Sequence, residues 1–267
     1  MSNLALRVST AAVGLPLIAL LALWHVRLGF ALLVFLCCLL ALIELTRMTM
    51  SAAPRPQRVA IVATGVALSA AIYARPELAL LWSLAAAAVA ATAILAHPGE
   101  ISGATARLGI AVFSVFYIGG FSAPLALLQR DVADGPFWVF VAIAVTFAND
   151  TGAYFAGRAI GRHKLYPAIS PSKTVEGAFG GLAGGVIIAW VCHATFFPGL
   201  TLRDCLLVAV PAAVIGPIGD LLESMIKRSA GVKDSGRMLP GHGGILDRVD
   251  ALLFVSAWVY AYTVQLR

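Results

Sequence analysis

Leu78–Ala96 reads LALLWSLAAAAVAATAILA, nineteen residues without a single charge. A helix needs about 20 mainly apolar residues to cross a bilayer, because hydrocarbon offers no partner to an exposed backbone group. Runs of this kind recur at 7–24, 28–46, 59–75, 108–129, 136–156, 176–198, 204–222 and 250–266, which with 78–96 makes nine expected spans. They occupy most of the 267 residues and leave short connections. The expected fold is all-α, a polytopic transmembrane helical bundle with no appended soluble domain.

Composition agrees. The chain is 60% apolar and 12% charged, against roughly 25% charged in soluble proteins, and its mean hydropathy is +0.91. These values exclude a disordered chain, a secreted disulfide scaffold and a cytosolic enzyme. Cys37, Cys38, Cys192 and Cys205 lie within or at the ends of spans, without a CxxC pair, and read as small buried hydrophobes. The first run follows Arg7, and no small-residue cleavage pattern succeeds Leu20–Trp24, so it reads as a retained helix.

Basic residues orient the bundle. With nine spans, one side holds the N-terminus and the connections near 47–58, 97–107, 157–175 and 223–249. That side carries 14 of the 19 Lys and Arg, and the other carries five. The positive-inside rule makes the richer side, and the N-terminus, cytoplasmic. The net charge of +6 is thus a topology signal and an attraction to anionic membrane lipids, with no nucleic acid implied.

The chain divides chemically into 1–146, without motifs, and 147–267. In the first part Glu44 reads as an interfacial carboxylate near Arg47. In the second, Asp150, Glu176, Asp220, Glu223, Asp234, Asp247 and Asp250 fall at helix ends or in two long connections on the basic side, with nine of its 14 Lys and Arg. Ionisable groups at membrane depth are expensive, so such a cluster is by default a functional site.

Three segments make it up. The first, Asn149-Asp150-Thr151-Gly152-Ala153-Tyr154-Phe155, places a carboxylate within the sixth span, one to two turns from its end. In Ile169-Ser170-Pro171-Ser172-Lys173-Thr174-Val175-Glu176-Gly177, Ser170 and Pro171 stop one element and Lys173-Thr174 open the seventh span. That opening reads equally as a phosphate perch on a helix N-terminus or as simple capping. Gly177, Gly181 and Gly185, with Gly180 and Gly184, follow at four-residue spacing and let helices approach, within the bundle or across a homodimer. In the third segment Pro211 and Pro217 are expected to kink or loosen the eighth span. Asp220, Glu223, Ser224 and Lys227 then share a helical face, as do Asp247 and Asp250. Gly241-His242-Gly243-Gly244 between them frees backbone N–H groups for an anion; His242 is either a phosphate donor or a turn residue.

No nucleophile–base pair accompanies these groups. Neighbouring carboxylates among cations favour Mg²⁺, which takes one or two protein carboxylates and leaves the rest to water and phosphates. The set suits phosphoryl or nucleotidyl transfer.

The run Ser224-x-x-Lys227-Arg228-x4-Lys233-Asp234-x5-Pro240-x-His242-Gly243-Gly244-x-x-Asp247-Arg248-x-Asp250 resembles the signature of the phosphatidate cytidylyltransferases, or CDP-diacylglycerol synthases. The blocks at 149–155 and 170–177 are similar to that family's other motifs, in the same order. The resemblance implies a membrane enzyme that converts CTP and phosphatidate to CDP-diacylglycerol and pyrophosphate, in a bacterial-type inner membrane with its site facing the cytoplasm. It implies Asp220 and Asp247 as metal ligands, with Asp250 and Asp150 as further candidates, and Mg²⁺ as cofactor beside a second cation such as K⁺. It also implies Lys227, Arg228 and His242 in catalysis, and Lys173, Ser170, Thr174, Lys233, Arg248, Gly243 and Gly244 in substrate binding. A CTP-dependent lipid-alcohol kinase is the nearest alternative; a secondary transporter is the alternative from another class.

Overall fold

The computed structural model describes residues 12, 14, 16–24, 26–236, 238 and 243–267. Eight of the nine expected spans appear as helical segments long and apolar enough to cross a membrane: Arg27–Thr49, Arg55–Ala74, Pro76–Ala96, Ile101–Asp131, Gly135–Ile160, Val175–Thr195, Leu202–Ser229 and Leu246–Leu266. Much of the expected first span, 7–24, lies outside the described residues, as does Arg7.

The helices are α1 (Arg27–Thr49), α2 (Arg55–Ala74), α3 (Ala79–Ala96), α4 (Ala104–Ser114), α5 (Phe121–Asp131), α6 (Gly135–Ile160), α7 (Val175–Thr195), α8 (Leu202–Ser229) and α9 (Leu246–Ala261). One small sheet joins them, the antiparallel hairpin of β1 (Lys164–Tyr166) and β2 (Ser170–Thr174). The chain packs as two compact units, Met1–Leu127 with Ser229–Arg248, and Leu128–Arg228 with Val249–Arg267. The boundary at 146/147 marks where the motifs begin; the packing divides the chain elsewhere.

In the first unit, a π-helical turn at Val115–Gly120 joins α4 to α5, and Pro124 follows inside α5. The turn lets Gly119 lie on the backbone of Gly65 in α2, where a Cβ would overlap it. Buried hydroxyls bond the carbonyl four residues back, as Thr46 does to Leu42 (2.7 Å) and Ser122 to Ile118 (2.6 Å). This is how a polar side chain is satisfied where water is excluded.

In the second unit the glycine faces are used within the chain. A Cβ on Gly184 would come 2.6 Å from the Ala148 carbonyl, and one on Gly177 2.9 Å from that of Ala153, so α7 lies directly on α6. Of the two readings of the stripes, close approach within the bundle describes this contact. Helix α8 runs unbroken through Pro211 and Pro217 to Ser229, beyond the expected end at 222. Transmembrane helices tolerate proline when neighbouring groups satisfy the freed carbonyls.

Asp204 opens α8 and forms a reciprocal cap with Thr201: Thr201 N–H donates to its carboxylate at 2.8 Å, and Asp204 N–H to the Thr201 hydroxyl at 3.1 Å. Tyr262 donates to the same carboxylate at 2.5 Å, and the Arg267 Nε lies 3.3 Å away. This buried acid stands at the opposite end of α8 from Asp220, outside the charge cluster read from the sequence.

Candidate active site

Thr174 is the N-cap of α7; its buried hydroxyl accepts from Gly177 N–H at 3.0 Å. Gly157 and Gly161 of the α6 end leave room for that side chain. Of the two readings of the 170–177 segment, capping describes Thr174. Lys173 does not open the helix. It is the penultimate residue of β2, and its ammonium lies 2.8 Å from Asp220 Oδ2 on α8. Glu176 fixes the hairpin by accepting from the Arg162 and His163 backbone N–H groups (3.0 and 3.2 Å), with the His163 Nδ1 at 2.6 Å.

On α8 the expected shared face is present. Ser224 donates to Asp220 Oδ1 at 3.2 Å, and Lys227 pairs with Glu223 at 2.5 Å, both residues being buried. Gly219 brings α8 against α9: a Cβ there would lie 2.6 Å from the Asp250 carbonyl oxygen. Asp250 is consequently buried and feels the charges of Asp220, Asp150 and Lys227. Residues from α6, β2, α8 and α9 thus place four carboxylates (Asp150, Asp220, Glu223 and Asp250) and two ammonium groups (Lys173 and Lys227) in one neighbourhood of the second unit. Ser170, which starts β2, is half-buried, and Arg228 is exposed.

Asp247 and the glycine turn belong to the first unit. Three donors converge on Asp247 Oδ2: Gly244 N–H at 2.8 Å, Ser235 Oγ at 2.9 Å and Ser235 N–H at 3.0 Å. Gly243 has φ 81°, a left-handed conformation that favours glycine. Of that glycine segment, the described Gly244 N–H is turned to the protein's own Asp247 carboxylate. Lys233, Asp234 and Arg248 are exposed; Pro240 and His242 lie outside the described residues.

Glu44 corrects the sequence reading. It is 4% exposed rather than interfacial. Its carboxylate accepts from Ile245 N–H (3.1 Å), Leu246 N–H (2.9 Å) and Ser235 Oγ (3.2 Å). The signal was available, for Glu44 is the first charge after an uncharged run from Leu28 to Ile43.

Among the described residues, no three His, Cys, Asp or Glu side chains form a ready-made metal cage. The donor set nevertheless suits a hard cation. All the acids near Asp250 offer oxygen, they repel one another, and Mg²⁺ needs only one or two of them.

The profile of the cytidylyltransferase family matches residues 5–266. The chain belongs to this family. It is 43% identical over 156 residues to a protein of Staphylococcus haemolyticus named phosphatidate cytidylyltransferase, covering 58% of each chain. Proteins of the same name from Bacillus subtilis (39% over 154 residues; 58% of this chain, 57% of the relative) and Brucella suis (43% over 152 residues; 55% and 54%) are similar. The matched region spans less than three fifths of these relatives' length. With its eight long apolar helical segments, this member of the family is an integral membrane protein.

Proposed function

We propose that the chain is a phosphatidate cytidylyltransferase: it joins CTP to phosphatidate and releases pyrophosphate. A lipid phosphate oxygen forms a bond to the CTP α-phosphorus while the bond from that phosphorus to the β-bridging oxygen breaks, and pyrophosphate leaves with the electron pair. The phosphatidate oxygen is already anionic near neutral pH, so no strong base is needed. The barrier lies in bringing two polyanions together in line, which charge neutralisation and positioning lower.

The observation that carries this reading is the Lys173–Asp220 contact beside buried Asp250, which unites two sequence-distant family motifs in one charged neighbourhood. Lys173 and Arg228 draw the phosphates of substrate. Asp220 and Asp250, with Asp150 nearby, would hold Mg²⁺; the resemblance gives Asp247 the same task, one helical turn before Asp250. When bound, the cation neutralises phosphate charge. The site faces the cytoplasm of a bacterial inner membrane, where CTP arrives from water and the lipid enters sideways.

The test is purified protein in detergent with CTP, phosphatidate and Mg²⁺. One pyrophosphate per lipid consumed is expected; release of CDP without pyrophosphate would favour the lipid-alcohol kinase.

A further inference from the structure

Helix α9 begins at Leu246. Ile245 precedes its first residue and offers no side-chain acceptor, yet the first N–H groups of a helix need partners. Glu44, some two hundred residues earlier in sequence, supplies them: its two oxygens take Ile245 N–H and Leu246 N–H at 3.1 and 2.9 Å. The contact is built into the backbone around it. A Cβ on Gly244 would fall between Ser235 Oγ and Glu44, and one on Gly236 would strike the Glu44 carboxylate. Both glycines therefore let the chain close around this acid. Ser235 ties it to the next carboxylate, since its hydroxyl lies 3.2 Å from Glu44 Oε2 and 2.9 Å from Asp247 Oδ2.

We propose that Glu44 is a positioning residue, which through Ser235 and the first N–H groups of α9 fixes the direction in which Asp247 presents its carboxylate to a divalent cation. The proposal rests on the reading of Asp247 as a metal ligand. Groups that orient a ligand matter nearly as much as the ligand, and their loss weakens metal binding about 10–100-fold. Backbone N–H donors suit the task, because they are neutral and rigid.

The experiment uses full-length protein in detergent, with Mn²⁺ binding followed by electron paramagnetic resonance and amide hydrogen exchange followed across 243–248. Glu44→Gln should raise the Mn²⁺ half-saturation by about 10–100-fold and speed exchange at Ile245 and Leu246. Ser235→Ala removes the bridge without touching those amides. It should weaken Mn²⁺ binding while leaving their protection intact, and it decides the question if Glu44→Gln does not fold. Titrations of the folded variants that superimpose on wild type would overturn the proposal, and a lower unfolding temperature with an unmoved titration would make Glu44 merely structural. Asp247→Asn tests the parent reading separately: unchanged Mn²⁺ binding in that variant removes Asp247 from the metal, whatever Glu44 does.

Discussion

Two groups of carboxylates in this chain have opposite surroundings. In the first unit, Glu44 and Asp247 meet backbone N–H groups and the Ser235 hydroxyl. In the second, Asp220, Asp250 and Asp150 share one neighbourhood with Lys173 and Lys227. Neutral, rigid donors hold a carboxylate in place and keep its geometry. Like charges gathered beside ammonium groups do the reverse: they raise the local electrostatic cost and create a demand for cations. On the proposed reading, the first arrangement aims a side chain and the second carries the chemistry.

Substitutions should separate the two. Asp220→Asn keeps an oxygen for Ser224 but loses the charge that faces Lys173. Turnover should fall by roughly 10²–10³-fold with the unfolding temperature little changed, and near-normal turnover would remove Asp220 from the site. Gly219→Ala forces a Cβ to 2.6 Å from the Asp250 carbonyl. Such overpacking costs about 1–3 kcal/mol, to be read in thermal unfolding, and turnover should fall with it as α8 is pushed from α9. Lys173→Ala should raise the KM for a substrate by about tenfold, equivalent to ~1.4 kcal/mol, without loss of assembly; unchanged kinetics would leave Lys173 as a structural partner of Asp220. At the far end of α8, Tyr262→Phe deletes a hydrogen bond to Asp204. It should cost about 1 kcal/mol of stability and leave turnover per folded molecule at the wild-type value.

Much of this was legible in the sequence. The apolar runs gave the spans because their length is dictated by the bilayer. The face shared by Asp220, Glu223, Ser224 and Lys227 followed from helical periodicity, which α8 obeys through two prolines. What escaped depends on distant contacts. Lys173 was placed on a helix, yet it sits on β2: the short hairpin exists because its strands pair with each other, and its residues carry no alternating apolar signal. For Asp204 the cap with Thr201 is legible in the local spacing, whereas Tyr262 and Arg267 lie some sixty residues away and carry no such signal. Glu44 reads as interfacial in the sequence because periodicity says which face a residue occupies and nothing of the loop that folds over it.

The most direct measurement follows the label from CTP carrying ³²P at either the α or the γ position, incubated with the purified chain, phosphatidate and Mg²⁺. The account predicts that α label enters the lipid and γ label stays in water as pyrophosphate. Lipid that carries the γ label would contradict it.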